Sequence, residues 1–435
     1  MNLFERTLQF AGFPIQRAKQ RLREIQAIAP ADYEAYVENL RKNIVDYHLR
    51  ENTYYQHLVG DTPFTSWKDV PVLTKGDLQR PLGERLSHGY TKKNCYINKT
   101  SGSSGHPFIF AKDKFCHALS WAEFIDRYTW YDITISKSLQ ARFYGIPMEG
   151  WGYRRERLKD RLSGRYRFPI FDLSESKMEQ FLSVFRSKKF DHINGYTSSI
   201  VLFGKYLQKQ NICLKDVCAT LRVCIVTSEM LFPEDQEMLE HALGVPVVNE
   251  YGASELGLIA FTDTNGKFVV NSEALYVEIL DGDDLPVPLG ETGRIVITSL
   301  YNRAHPIIRY DIGDTGCLSV KSTSKKPILE RLVGRTNDVA QLANGKSVPG
   351  LTFYYVTKSA IEEDVKVKEF IVEQHTREHF KIIYVADVPF SELRKQKIEK
   401  ALHRYVDADV SVEFDRVALL KRENSGKLKQ FVSKL

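Results

Sequence analysis

The sequence predicts an α/β protein. We expect a large N-terminal domain of helix-covered parallel sheets with a small β-barrel-like unit, and a small α+β C-terminal domain. Between Tyr166 and Gly257, short apolar runs alternate with helical stretches, which is typical of a parallel sheet covered by helices. From Phe268 to Val320, alternating strands are joined by tight turns. At 435 residues the chain is also too long for one ordinary core.

The elements before the central sheet follow from local patterns. Residues 1–60 place apolar side chains such as Tyr33, Val37 and Ile44 at three- and four-residue spacings, which predicts amphipathic helices that face the core. Further along, we expect a turn-rich segment over 62–71, a short helix near 75–79, a helix over 115–131 and a strand over 140–144.

The central region is expected to form the sheet that positions the site. The predicted strands are 192–195, 223–226 and 245–248, and the predicted helices are 198–210 and 233–243. Ligands of such sheets bind beyond the carboxyl ends of the strands. Two of these ends run into polar segments that we interpret as turns, Thr227-Ser228-Glu229 and Glu250 to Glu255.

We place the domain boundary at Gly334, which predicts an N-terminal domain of residues 1–334 and a C-terminal domain of residues 335–435. The second domain is expected to hold strands near 369–373, 380–386 and 410–414, with one helix over 391–405.

Composition excludes several classes of protein. The apolar share is 43%, the charged share is 27% and the net charge is +6, with no long basic block, so nucleic acid is not an expected partner. The six cysteines form no CxxC pair, which argues against structural zinc and favours reduced thiols in a cytoplasm. Charges at Glu5, Arg6 and Arg17 interrupt the N-terminal apolar residues, so we expect neither a signal peptide nor a membrane span.

A segment rich in hydroxyl groups and glycine follows the apolar Cys95-Tyr96-Ile97. Glycine lets backbone N–H groups turn toward one point, and hydroxyl groups can join them in an anion-binding nest. A flexible linker is the alternative, but the Gly-x-Pro ending and the apolar residues at 108–110 favour a loop that holds phosphates. The residues of this loop are Thr100, Ser101, Gly102, Ser103, Ser104 and Gly105.

Five segments in order resemble the core motifs of the adenylate-forming superfamily of acyl-CoA synthetases, peptide-synthetase adenylation domains and luciferases. They are TSGSSGHP (100–107), EYGASE (250–255), RYDIGD (309–314), GRTND (334–338) and NSGK (424–427). GYTSS (195–199) and TSE (227–229) are similar to the phenylacetate–CoA ligase-like branch, which includes members associated with capsular polysaccharide synthesis. The resemblance covers residues 60–435.

The resemblance implies a reaction in two steps. ATP and a small carboxylate give an acyl-adenylate and pyrophosphate, and coenzyme A then takes the acyl group. The alternative acceptors are an amine or hydroxyl of a sugar nucleotide, or the thiol of a carrier protein. The nest at 100–105 suits the charge of the triphosphate. Mg²⁺ needs hard oxygen ligands, a role that the resemblance gives to Glu255.

The resemblance also assigns the nucleotide contacts and a mobile lid. Asp314 matches the aspartate that binds the ribose hydroxyls, and Arg335 matches a nucleotide-contacting arginine before the hinge. Lys427 matches the mobile lysine that stabilises the adenylation transition state. The segment that packs against adenine is Glu250, Tyr251, Gly252, Ala253 and Ser254. Each residue also has a structural alternative: a turn acid, a boundary ion pair, a core tyrosine or a solvated lysine.

Three features depart from the family pattern or stay open. Many members carry a lysine where Phe108 stands, and Lys112 and Lys114 are the possible substitutes. The hinge residue is either Asn337 or Asp338. Candidates for the acyl pocket are Tyr144 to Pro147, Tyr196 to Ser198, and Thr227, and they do not identify the acid.

Two rival functions come from other classes. Residues 340–347 end in Gly-Lys-Ser as a nucleotide-binding P-loop does, but alanine stands where that motif requires glycine and no strand–loop–helix pattern surrounds it. A degenerate binding module without catalysis is the other rival. The presence together of Glu255, Asp314 and Lys427 argues against it.

Overall fold

The computed structural model describes residues 3–60, 64–100, 108–144, 160, 163–170, 173–335, 339–345, 347–349, 353, 357, 367–406, 409–421 and 428–435. The chain divides into two compact units. One comprises 1–312 with 316–331, and the other comprises 332–435 with 313–315. The boundary that we predicted after residue 334 falls later in the same strand.

The first unit begins with helices that are amphipathic, as predicted. Tyr33, Val37 and Ile44 are buried on one face of the third helix. The short helix predicted near 75–79 is wrong: this segment forms turns, in which the Asp77 carboxylate accepts the Thr74 N–H at 2.8 Å. The helices are α1 (Leu3–Phe10), α2 (Ile15–Ala27), α3 (Pro30–Glu51) and α4 (Thr53–Val59), followed by single 3₁₀ turns at Trp67–Asp69 and Leu82–Glu84.

A hairpin and a long helix follow. Strands β1 (Tyr96–Lys99) and β2 (Ile109–Lys112) pair in antiparallel fashion. Helix α5 (Lys114–Thr129) begins directly after this hairpin because the Asp113 carboxylate accepts the N–H groups of Phe115 and Cys116, each at 2.9 Å.

Seven of the described strands form the central sheet, in the order β4-β3-β5-β6-β7-β8-β9. The first five pair in parallel, which confirms the predicted parallel sheet, and the last three pair antiparallel. The strands are β3 (Gln140–Phe143), β4 (Arg165–Phe168), β5 (His192–Tyr196), β6 (Val223–Thr227), β7 (Val247–Ala253), β8 (Gly257–Thr262) and β9 (Phe268–Val270). The covering helices are α6 (Glu175–Ser187), α7 (Thr197–Lys209), α8 (Leu214–Val217) and α9 (Pro233–Leu243).

One face of this sheet is apolar and packs against α6, α7 and α9. Phe143, Ile193 and Val226 are fully buried there. Gly195 is required by this packing, because a Cβ atom at that position would lie only 2.5 Å from the Cβ of Phe143.

The next strands form a four-stranded sheet in sequence order, in which the first two pair antiparallel. They are β10 (Leu275–Leu280), β11 (Thr292–Ser299), β12 (Tyr310–Leu318) and β13 (Leu329–Arg335). Arg309, directly before β12, has a left-handed φ of 41°.

The second unit holds an antiparallel hairpin and a four-stranded sheet of order β18-β17-β16-β19. The described residues of 340–347 belong to this hairpin, in which β14 pairs antiparallel with β15, so they do not form the strand–loop–helix frame of a P-loop. Strand β19 was not predicted. The elements are β14 (Val339–Gln341), β15 (Ser347–Pro349), β16 (Val367–Gln374), β17 (His379–Ala386), α10 (Glu392–Val406), β18 (Ser411–Arg416) and β19 (Phe431–Ser433).

Candidate active site

The segment Glu250–Glu255 forms the end of one strand and the turn to the next. The predicted turn is wrong for its first four residues, because Glu250 to Ala253 continue β7 and pair with β8. The turn itself is confined to 254–256. Pairing with β8 satisfies the backbone hydrogen bonds of these residues in an extended conformation. The sequence of 250–253 does not by itself indicate this pairing.

Gly252 is explained by the hairpin that it belongs to. A Cβ atom at this position would lie 2.8 Å from the carbonyl oxygen of Gly257 on the facing strand, so only glycine fits without movement. The neighbouring Tyr251 is half-buried. A role for either residue in adenine binding stays a prediction.

Glu255 lies where three of the predicted motifs meet. Its side chain is only 6% exposed, and its Oε1 atom accepts a hydrogen bond from the hydroxyl of Tyr310 at 3.3 Å. The Tyr310 ring stacks in turn on Phe108, with 6.2 Å between ring centroids. Tyr310 of RYDIGD therefore contacts both Glu255 of EYGASE and Phe108, the residue that directly follows the glycine-rich loop.

The neck of the glycine-rich loop is closed by Thr100. Its backbone N–H donates to the carbonyl of Phe108 at 2.9 Å, and its hydroxyl oxygen accepts the N–H of Phe108 at 3.0 Å. The hydroxyl of Thr100 therefore bonds within the chain and fixes the two ends of the loop. The rest of the predicted nest, 101–107, lies outside the described residues.

Of the two candidate substitutes for the absent loop lysine, Lys112 lies beside the Glu255 hairpin. Its side chain is buried, and its Nζ atom would lie 3.4 Å from a Cβ atom on Gly257. Burial lowers the pKa of Lys112, which the nearby carboxylates oppose. Lys114 points elsewhere: its Nζ atom would lie 2.9 Å from a Cβ atom on Gly12.

The two ends of RYDIGD have different environments. Arg309 is 1% exposed, and its guanidinium donates to the carbonyls of Val70 at 2.6 Å and Asp284 at 3.1 Å. It also lies 3.4 Å from a carboxylate oxygen of Glu278. Arg309 is therefore a structural anchor. Asp314 is a buried residue within β12, and its role in ribose binding stays a prediction.

The carboxyl end of β6 pairs with β7 at Glu250, in the parallel sheet that was predicted. The hydroxyl of Thr227 donates to the carbonyl of Glu250 at 2.9 Å. Two residues later, the Glu229 carboxylate accepts the Ser198 N–H at 2.7 Å at the start of α7. The segment 227–229 thus links two strand ends to a helix N-terminus.

Comparisons with known proteins agree with this architecture. No family model matches the chain. The crystal structure of 2-hydroxyisobutyryl-CoA ligase in the postadenylation state, in complex with 2-HIB-AMP, has a TM-score of 0.70 at 15% identity and covers 94% of this chain and 90% of that one. This chain has the fold of the adenylate-forming ligases. An anthranilate CoA ligase in complex with anthranoyl-AMP matches with a TM-score of 0.54 at 15% identity, covering 79% of this chain and 66% of that one.

Two curated sequences support the same branch of the adenylate-forming ligases. Protein CapK of Staphylococcus aureus is 21% identical over 374 residues, which is 81% of this chain and 77% of the relative. Phenylacetate-coenzyme A ligase of Pseudomonas putida is 25% identical over 177 residues, which is 39% of each chain. The predicted resemblance to phenylacetate–CoA ligase-like proteins, and with it the predicted class of AMP-forming ligase, is confirmed.

Several predicted site residues of this adenylate-forming fold lie outside the described parts of the chain. These are Ser101, Gly102, Ser103, Ser104 and Gly105 of the nest, both hinge candidates Asn337 and Asp338, the acyl-pocket candidates at 145–147, and Lys427. Arg335 ends β13, and its side chain is likewise outside the description. Their roles stay predictions.

Sequence reasoning missed the polar side chains of α5 that face inward. Cys116, Ser120, Glu123 and Arg127 are buried and recur at helical spacing, a signal that an entirely apolar interpretation of this helix overlooks. Burial and the nearby Glu273 raise the pKa of the Glu123 carboxyl to about 8.

The described residues hold no group of three or more His, Cys, Asp or Glu side chains arranged for a metal. None of the helices in these parts of the chain combines the length and apolar character needed to cross a membrane.

Proposed function

We propose that this protein uses ATP to convert a small carboxylic acid into an acyl-adenylate, with release of pyrophosphate, and then transfers the acyl group to coenzyme A. The observation that carries the proposal is the contact of Tyr310 with Glu255 and Phe108, which joins two motifs of the superfamily to the residue that directly follows the glycine-rich loop. Solved proteins of the same fold were captured with acyl-AMP, with coenzyme A and with ATP, which supports both half-reactions here.

In the first step a carboxylate oxygen of the acid attacks the α-phosphorus of ATP, and pyrophosphate leaves. In the second, the acceptor attacks the carbonyl carbon and AMP leaves. The nest at 100–105 would hold the phosphates and Asp314 the ribose. The adenine would lie against Tyr251 and Gly252, and Arg335 and Lys427 would contact the nucleotide.

Magnesium is part of this proposal. Mg²⁺ bound to nucleotides commonly takes one or two protein carboxylates together with phosphate oxygens, so a lone carboxylate such as Glu255 fits the ion. When bound, the ion would neutralise charge on the phosphates. The Tyr310 hydroxyl orients the carboxylate for that purpose.

The alternative acceptor is an amine or hydroxyl of a sugar nucleotide, or a carrier-protein thiol, as in polysaccharide biosynthesis. We retain this alternative because the longer sequence match is to Protein CapK, which aligns with 81% of the chain, whereas phenylacetate-coenzyme A ligase aligns with 39%. Either version uses ATP, and we propose a cytoplasmic location for both.

ATP–pyrophosphate exchange across a broad panel of carboxylic acids tests the first half-reaction. We expect at least one acid to stimulate exchange, and we expect Glu255→Gln to lower it by about 10²–10³-fold with an unchanged melting temperature, since one well-placed electrostatic group typically contributes that much. Glu237→Gln, at an exposed site on α9, is the matched control. Exchange by Glu255→Gln at the wild-type rate and Mg²⁺ dependence would remove Glu255 from the site. Consumption of coenzyme A then separates the two acceptors.

A further inference from the structure

The strand register places a row of polar side chains on the second face of the central sheet. Gln140 pairs with His192, Arg142 pairs with Asn194, and Tyr196, Thr227 and Glu250 are aligned across three strands. The same face is apolar farther along, under β6 to β8, where Val223, Ile225, Val248 and Phe261 pack around Tyr128. The polar part is therefore restricted to β3 and β5, the last residue of β6 and Glu250 in β7.

The side chains at the carboxyl end of this row contact one another. Tyr144, directly after β3, donates its hydroxyl to Asn194 Oδ1 at 3.2 Å, and the guanidinium of Arg142 lies 4.4 Å from the centre of the Tyr144 ring. Asn194 is anchored by its amide, which donates to the carbonyl of Ile225 at 3.2 Å. On the other side, Tyr128 donates its hydroxyl to Glu250 Oε2 at 3.2 Å.

The described residues do not satisfy every polar atom of this row. Among them, the Nε atom of Arg142, which pairs with Asn194 across the sheet, is buried without a hydrogen-bond partner. The same holds for Gln140 Oε1 and His192 Nδ1 at the amino end of the row, where Gln140 Nε2 and His192 Nε2 lie 3.2 Å apart. Buried polar atoms in proteins are nearly always paired, so each such atom requires an explanation such as a bound water or ligand. A face whose only task was packing would carry apolar residues here, as it does under β6 to β8.

Glu250 supplies the carboxyl group of the row. Its side chain is half-buried, and it forms no ion pair with any residue that the structure describes. Burial raises the pKa of its carboxyl to about 7, although Tyr128, Thr227 and Arg142 lower it. It immediately precedes Tyr251 and Gly252, which are predicted to meet the adenine, and it pairs with Thr227 at the carboxyl end of β6, the side on which ligands of such sheets bind.

We propose that the carboxylic acid substrate of this protein carries an amino or hydroxyl group that donates a hydrogen bond to Glu250, beside Asn194 and Tyr144. The inference rests on the proposed function and specifies its substrate class: amino or hydroxy acids rather than plain hydrocarbon acids. It also changes the role of Glu250, which we first assigned to the nucleotide. A site built to bond such a donor strongly rejects the analogue that lacks it, because the buried acceptor is then left unpaired.

The test measures ATP–pyrophosphate exchange with sets of acids that share one carbon skeleton. Each set contains the unsubstituted, hydroxy, amino and methoxy acid, with the substituent on the α-carbon or farther out; the methoxy group accepts hydrogen bonds but does not donate them. We expect hydroxy or amino acids to have kcat/KM values at least about tenfold above the methoxy and unsubstituted acids of the same skeleton. Equal or better exchange with the unsubstituted acids would overturn the inference and leave the proposed function standing. Exchange with no acid at all would overturn both.

Two substitutions link the preference to Glu250. Glu250→Leu should reduce the ratio between donor-bearing and unsubstituted acids to within about threefold of unity, whereas an unchanged ratio would contradict the assignment. Glu250→Gln keeps the shape and an accepting oxygen but removes the charge. It should retain exchange with a hydroxy acid and lose exchange with an amino acid, which identifies the donor.

Folding controls keep these results interpretable. Both variants should bind AMP and melt as the wild type does, and Glu237→Gln should keep the wild-type ratio. If Glu250→Leu does not fold, Glu250→Met, which has nearly the same length and also removes both carboxylate oxygens, replaces it: an unchanged ratio between donor-bearing and unsubstituted acids in that variant overturns the inference.

Discussion

The two faces of the central sheet are made by alternate residues of the same strands, yet they differ in kind. On one face Phe143 and Ile193 are fully buried in an apolar cluster against α6, α7 and α9. On the other, their neighbours Arg142 and Asn194 lie side by side in a polar row. The first face needs no ligand to explain its composition, since apolar burial stabilises the fold by itself.

The polar face contains buried side chains whose presence the stability of the fold does not explain. Three of its buried polar atoms have no hydrogen-bond partner among the described residues, and removing hydrogen-bonding groups from water without partners costs free energy. Residues that weaken a core are expected at sites that bind something. The difference between the faces therefore separates the residues that hold the fold from the residues that select the substrate.

The largest effect is expected on the apolar face. Phe143→Ala removes a fully buried ring that stacks on Phe168 at 4.9 Å, and should lower the free energy of unfolding by about 3–5 kcal/mol. Urea denaturation measures this loss. The exchange activity per folded molecule should stay within a few-fold of wild type; a selective loss of activity with normal stability would remove the distinction between the faces.

A substitution in α5, the helix that covers the second face, should have a smaller effect of opposite sign on the free energy of unfolding. Glu123 is 1% exposed, and its Oε1 atom has no hydrogen-bond partner in the part of the chain that the structure describes. Burial together with Glu273 raises the pKa of its carboxyl from 4.5 to about 8. An acid whose pKa is raised by folding stabilises the protein fully below 4.5 and loses that contribution as the pH rises toward 8.

Glu123→Gln should therefore abolish this pH-dependent loss. Relative to wild type, the variant should gain about 1–3 kcal/mol in the free energy of unfolding above this window, because one pKa unit corresponds to about 1.4 kcal/mol and a buried carboxyl is partly relieved by its surroundings. The neighbours Lys112, Arg127 and Asn271 remain in place as its charged and polar surroundings. Denaturation curves on both sides of the window test the sign, and a variant that is less stable only at high pH would contradict it.

The smallest effect on stability is expected at Tyr144, next to Phe143 in sequence. Tyr144→Phe removes only the hydroxyl that bonds Asn194, so the free energy of unfolding should change by no more than about 1 kcal/mol. The discrimination between hydroxy and unsubstituted acids should fall instead. If the denaturation midpoint drops as far as in Phe143→Ala, the polar row is part of the folding core.

Periodicity and motif spacing were enough to predict the parallel sheet and its covering helices. The strand at 192–195 and the helix at 233–243 fall within a residue or so of their observed limits, because apolar alternation and helix caps are local signals. The short helix at 75–79 was wrong because the Asp77 side chain and the Thr74 backbone form a local turn, which competes with helix.

Motif resemblance named the segments of the candidate site, but it did not give their contacts. The polar residues and the glycine of EYGASE favoured a turn, whereas the hairpin with β8 extends β7 through Ala253. The hydrogen bonds from Arg309 to the carbonyl of Val70 and from Tyr128 to Glu250 were missed for another reason, because each joins residues more than a hundred positions apart. No local pattern encodes such contacts.

The central claim, that the protein makes an acyl-adenylate, is tested most directly by oxygen transfer. An acid that supports exchange is labelled with ¹⁸O in its carboxylate and turned over with ATP and an acceptor, and the AMP is analysed by mass spectrometry. Attack of a carboxylate oxygen on the α-phosphorus, followed by cleavage of the bond between that oxygen and the carbonyl carbon, predicts one ¹⁸O atom in the AMP. Label in inorganic phosphate with formation of ADP, or unlabelled AMP, would contradict the account.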